Sequence, residues 1–187
     1  MARNSRRFAT GRRDDAFLLE AMRLWGPSVY RLAAVRTGSH ADADDVYQDV
    51  FLRLACDDTA FADDEHLKAW LLRVTINRCR ELGRFAWKRR TTPMDALLVE
   101  PIDPGLTPEE TLIAAEENAR VARDAARLWR ALARLKPAYR EVIHLAYYEN
   151  LTSEQIAGIV GSAPSTVRTR LQRARAKLRT LLEGASR

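Results

Sequence analysis

The sequence has little cysteine and no long apolar run, and its strand signals are nearly absent. Cys56 and Cys79 lie far apart, without metal-ligand spacing and too few for a disulfide framework. They read as reduced thiols packed in helices. No apolar stretch approaches the roughly 18 residues that span a bilayer. The opening MARNSRRFATGRR is charged, with no apolar segment behind it to make a signal peptide. A cytoplasmic chain without membrane insertion is therefore expected. The acid pairs Asp44/Asp45 and Asp63/Asp64 have no nucleophile or histidine cluster beside them, so no enzyme, metal site, cofactor or small-molecule substrate is expected. Val and Ile fall at helical spacing and alternation is never sustained, which predicts an all-α protein.

What the chain does have is positive charge, unevenly placed. Of 187 residues, 31 are Lys or Arg and 25 Asp or Glu, a net charge of +6, which favours a polyanionic partner. Residues 1–90 hold 17 basic and 13 acidic groups, residues 91–120 hold 1 and 7, and residues 121–187 hold 13 and 5. Two basic blocks thus flank an acidic middle, the pattern of two working units and a connector.

The helical pattern agrees with that division. A first block covers about 13–37, interrupted at Gly26–Pro27. Ser39 or Asp42 starts the next helix, CDDTAFADDE forms a loop, and one long helix follows through Arg90. Residues 91–106 are a linker rich in proline, and Thr107-Pro-Glu-Glu reads as a capping box that restarts the helices. They run to about Leu135 and resume after Lys136-Pro137. The expected units are 13–90 and 107–183.

In LTSEQIAGIVGSAPSTVRTRLQRARAKLRTLL, Thr152 or Ser153 caps a short helix, Gly161 reverses the chain, and Pro164 can open the next helix. Val167, Leu171, Ala174 and Leu178 share an inward face. Ser165, Arg168, Thr169, Gln172 and Arg173 share the outward one. A short helix, a tight turn and a second helix with a cationic outer face make a helix–turn–helix. Arg, Gln and Thr suit base edges in a major groove. Arg170, Arg175, Lys177 and Arg179 point elsewhere and suit phosphates. A basic amphipathic helix that merely keeps the domain soluble, or lies on a membrane, is the plainer reading of the charge run alone; the cap, the glycine turn and the separation of faces together favour DNA.

In the long helix, Arg73, Asn77, Arg80, Arg84 and Lys88 form one stripe, with Trp70 at its margin and Trp87 on its far side. This suits a single-strand track with stacking platforms, and equally a solvated face with core tryptophans. Leu67, Leu71, Val74, Leu82 and Phe85 face a core. Arg78 projects toward that apolar side, where snorkelling of its stem is the available account. In the helix before it, Val46, Val50 and Leu54 face inward, while Asp45, Gln48, Asp49 and Leu52 form a second face. That acidic face could dock a protein partner; an ordinary solvated face is the plainer reading of it alone.

ADADDVYQDVFLRL, EHLKAWLLRVTINRCREL and LKPAYREVIHLAYYENLTSEQIAGIVGSAPSTVRTRLQRARAKL, in that order and spacing, resemble bacterial RNA polymerase sigma factors of the extracytoplasmic-function group. The resemblance covers about 15–90 and 107–183 and implies sigma domains 2 and 4. It implies that Asp45, Gln48, Asp49 and Leu52 contact the clamp helices of the polymerase β′ subunit. It places an unstacked minus-10 base at Phe61 and Asn77, with Arg73, Arg80 and Arg84 on the backbone, and the minus-35 duplex at Arg168, Thr169, Gln172 and Arg173. Core RNA polymerase (through β′ and the β flap), promoter DNA and an anti-sigma factor are the implied partners, with a nucleoid-associated location. The turn GSAPST departs from the family, with Pro164 and Ser165 where valine and glycine are common. A stand-alone helix–turn–helix regulator is the alternative, and would leave the stripe and the acidic face unused. A nucleic-acid-processing enzyme lacks a catalytic constellation.

Overall fold

The computed structural model describes residues 13–86 and 123–184. They form α1 (Asp15–Thr37), α2 (His40–Cys56), α3 (Asp64–Ala86), α4 (123–133), α5 (Pro137–Tyr147), α6 (Ser153–Val160) and α7 (Pro164–Gly184). Among the described residues there is no strand, as the sequence leads one to expect. The linker, the Thr107 capping box, Trp87 and Lys88 lie outside the described residues.

Side-chain chemistry sets the helix ends. Asp14 accepts a hydrogen bond from the Phe17 amide at 2.7 Å, and Ser39 accepts one from the Asp42 amide at 3.2 Å. Thr152 and Gln155 cap α6 reciprocally. Each bond satisfies an amide that the first helical turn leaves without a partner. α6 ends on Gly161 at φ 68°, a left-handed conformation in which a Cβ would be strained. Pro137 and Pro164 open α5 and α7, where the missing amide hydrogen costs nothing.

One boundary differs from the expectation. α1 passes through Gly26–Pro27 without a break. Pro27 forfeits one internal hydrogen bond, but the residues after it are pinned: Val29, Leu32 and Ala33 are fully buried. Packing against α2, α3 and α5 thus outweighs the local preference. A Cβ at Gly26 would stand 2.9 Å from the Tyr47 hydroxyl, so the Tyr47 side chain would have to shift to admit one.

Three apolar clusters hold the helices. The first gathers α1, α2 and α3 through Val29, Val46, Val50, Leu54, Leu67 and Leu71. The second crosses between the halves: Leu32, Leu72 and Ile76 meet Val142, Leu145, Ile156, Val160, Val167 and Leu171. The third joins Leu135, Ile143 and Ala174. Each full aliphatic burial contributes about 1.5–3 kcal/mol. The two halves of the sequence therefore share a core.

Candidate nucleic-acid interface

α6, the Gly161 turn and α7 form the helix–turn–helix. Val167 and Ala174 are fully buried and Leu171 nearly so, which fixes the rotation of α7 against α5 and α6. Ser165, Arg168, Thr169, Gln172 and Arg173 are consequently all exposed on its other side. Arg168 is paired across the motif with Glu154 at 3.0 Å, both side chains being more than half exposed. Such a pair contributes little stability but orients the guanidinium. Arg175 lies over the Tyr147 ring at 5.3 Å and Lys177 over Tyr139 at 5.7 Å, while Arg170 is half-buried. Tyr139, Ser165, Thr166, Thr169, Arg170 and Arg173 line a shallow polar notch beside this face.

The stripe on α3 is less uniform. Arg73, Asn77 and Arg84 are exposed. Arg80 is not free: it donates to the Val160 carbonyl at 3.0 Å and reaches Glu141 at 3.4 Å. Burial and the nearby Arg170 charge lower its pKa. Phe61 is 3% exposed, under the Arg13 guanidinium and edge-on to Trp70 and His66. In this conformation its ring does not face solvent.

On α2, Asp45, Gln48 and Leu52 are exposed, Leu52 at 64%. Asp49 is paired with Arg78, which also reaches Glu81 at 3.3 Å. Burial opposes the Arg78 charge, but the two carboxylates raise its pKa. Ion pairing, rather than snorkelling alone, accounts for Arg78. Cys79 is buried, with its thiol pushed up to about 11 by burial, and so is unreactive. No group of metal-ligating side chains occurs among the described residues, and no described helix is long and apolar enough to cross a membrane.

Residues 21–89 match the family model "Sigma-70 region 2" and residues 125–178 match "Sigma-70, region 4". RNA polymerase sigma factor NccH of Alcaligenes xylosoxydans xylosoxydans is 33% identical over 147 residues, 78% of this chain and 75% of that protein. ECF RNA polymerase sigma factor SigM of Mycobacterium tuberculosis is 30% identical over 154 residues, 82% and 71% of the two chains. This chain belongs to the extracytoplasmic-function group of the sigma-70 family. It is a sigma factor of transcription initiation, with a DNA-binding helix–turn–helix. Sigma factor CnrH of Cupriavidus metallidurans is 35% identical over 155 residues, 78% of this chain and 75% of that one. Its structure in complex with the cytosolic domain of CnrY superposes with a TM-score of 0.60 at 27% identity, covering 91% of this chain and 90% of CnrH.

Sequence reasoning missed two acid-centred clusters in this sigma factor. Glu141, its side chain 1% exposed, is paired with Arg36 and Arg80, and Arg140 donates to the Arg36 carbonyl at 3.0 Å. Burial lowers Arg36 to about 10, with Arg80 and Arg140 adding repulsion. Glu149, its side chain 3% exposed, meets Lys68 at 2.7 Å, Ser28 at 3.3 Å and His144 at 3.6 Å. A signal existed: Leu72 and Ile76 give α3 an apolar face beyond the one Leu67 and Leu71 use. A helix apolar on two sides needs two partners.

Proposed function

We propose that this sigma factor grips a promoter at two points while bound to core RNA polymerase. α7 reads the minus-35 duplex through Arg168, Thr169, Gln172 and Arg173, with Ser165 at the helix start. Arg170, Arg175, Lys177 and Arg179 anchor phosphates. α3 takes the melted minus-10 strand through Asn77, with Arg73, Arg84 and Arg80 on the backbone. Phe61 sits at the root of the 57–63 loop, and a base reaches its ring only once Arg13 withdraws. The exposed α2 face of Asp45, Gln48 and Leu52, with Asp49 at its edge, docks on the β′ clamp helices, and the 107–183 half on the β flap. CnrH forms a complex with the cytosolic domain of CnrY, which supports a protein partner here as well, and we assign that place to an anti-sigma factor. We assign the chain no catalytic step and no cofactor.

The observation that carries this reading is the clean division of α7. Its apolar residues are spent on packing, and every base-reading side chain is left on one exposed face. Purified protein added to core polymerase should yield promoter-specific transcripts. Tight DNA binding without any initiation would instead favour a stand-alone regulator. Asn77→Ala should spare polymerase binding but reduce permanganate reactivity of the melted strand; unchanged reactivity removes Asn77 from the minus-10 site.

A further inference from the structure

Away from the seam where the two halves meet, the helix–turn–helix holds a single acid. From Leu151 to Leu182 the chain carries six Lys or Arg and one carboxylate, Glu154. An acid on a surface that must approach phosphates weakens binding to every duplex by repulsion. Glu154 stands in the first turn of α6, whose start is fixed by the reciprocal Thr152–Gln155 cap. From there its Oε1 accepts a hydrogen bond from Arg168 Nη1 at 3.0 Å. The one acid of the motif thus crosses from α6 to α7 and takes hold of a base reader.

The geometry of that bond leaves Arg168 able to read a base. A guanidinium presents its N–H donors in a planar fork. Glu154 engages the fork at Nη1, and the edge formed by Nε and Nη2 keeps its pair of donors. Such an edge matches O6 and N7 of guanine. The Nη1–Nη2 edge would serve a phosphate equally well, and Glu154 obstructs it. An arginine without this partner can turn to a phosphate on any duplex, which gives affinity but no sequence information. If Arg168 did so here, Glu154 would face the DNA backbone without its cation, a penalty that falls on the wrong arrangement alone. Both side chains are more than half exposed, so the pair adds little to folding stability. Its effect is on where the guanidinium stands before DNA arrives. The α6 dipole also favours an acid in the first turn, but any acid there meets that preference without reaching α7.

We propose that Glu154 is a positioning residue that sets the base specificity of Arg168, holding its guanidinium for a base edge and away from phosphates. This inference rests on the assignment of α7 as the minus-35 reader.

The test uses the full chain with core polymerase and a duplex library randomised across the minus-35 element. Arg168→Ala first marks the base pair that Arg168 reads. At that base pair, Glu154→Gln should lower discrimination between the preferred base and the others by about two- to twelve-fold, the factor that goes with ordering one long side chain. Affinity for the non-preferred duplexes should be unchanged or tighter, because a repulsive charge has gone. In an Arg168→Ala background the same substitution should leave discrimination unaltered. Glu154→Asp keeps an acid at the helix start but is one methylene shorter, and should behave like Glu154→Gln. Undiminished discrimination in Glu154→Gln overturns the proposal, as does a further loss of it in the Arg168→Ala background. An equal loss of affinity for all duplexes would make Glu154 a support of α6 and overturn it too. Full discrimination in Glu154→Asp would leave only the helix-dipole role. A parent that prefers no base at any position would overturn the minus-35 reading of α7 itself, and the proposal with it.

Discussion

α3 and α7 are both long amphipathic helices studded with arginine, but they spend their surfaces differently. α7 buries one narrow face through Val167, Leu171 and Ala174 and leaves its outer cations exposed. α3 buries two, Leu67 and Leu71 toward α1 and α2, Leu72 and Ile76 toward α5 and α6. Its polar stripe is therefore narrower than its sequence suggests, and Arg80 at the edge is drawn into the seam. A cationic stripe is available to a ligand only where the apolar residues beside it do not call for a second partner.

The largest test of that contrast is Ile76→Ala. The side chain is fully buried in the seam cluster, so truncation should cost about 2–5 kcal/mol in denaturant unfolding of the full chain. A loss below about 1 kcal/mol, close to the range of surface substitutions, would mean the second face of α3 is not a genuine core. Next in size, Arg168→Ala should weaken minus-35 binding by about 1–3 kcal/mol and relax one base preference, measured by competition among single-base variants. Uniform weakening across them would reduce α7 to a phosphate-binding helix. Thr152→Ala should remove the α6 capping box and cost about 1 kcal/mol in thermal unfolding, since it leaves an amide without its partner. No change would show that packing alone holds the motif.

The smallest effect is on pH. Burial opposes the Glu149 charge, but the His144 ring of α5 at 3.6 Å, the Lys68 ammonium of α3 and the Ser28 hydroxyl of α1 outweigh it and lower the carboxyl from 4.5 to about 2. A depressed carboxyl contributes stability above its ordinary value and loses it as pH falls through the depressed one. Stability to denaturant should thus be level above about pH 5 and weaken between 4.5 and about 2. Glu149→Gln should flatten the part of that slope the carboxyl supplies; an unchanged slope would assign the acid response to other groups.

Much of this was readable in the chain. Ser39, Thr152 and Gly161 mark helix ends because unpaired amides and a left-handed turn admit few residue types. Val46, Val50 and Leu54, and likewise Val167, Leu171 and Ala174, fall inward because 3.6-residue periodicity fixes which side chains share a face. The unbroken α1, the burial of Phe61 and the pairing of Arg78 with Asp49 were not readable. Each depends on what stands opposite: the α1 packing that overrides Pro27, Arg13 over the Phe61 ring, a carboxylate from another helix beside Arg78.

The sequence by itself thus determined the helices, their exposed and buried faces, and the sigma-70 motifs that α3 and α7 carry. Only the tertiary structure decided that the second apolar face of α3 is covered by α5 and α6, with Glu141 and Glu149 closing the seam. Periodicity records that a face must be buried; it carries no information on which distant segment buries it, and that pairing follows from packing across more than sixty residues of chain.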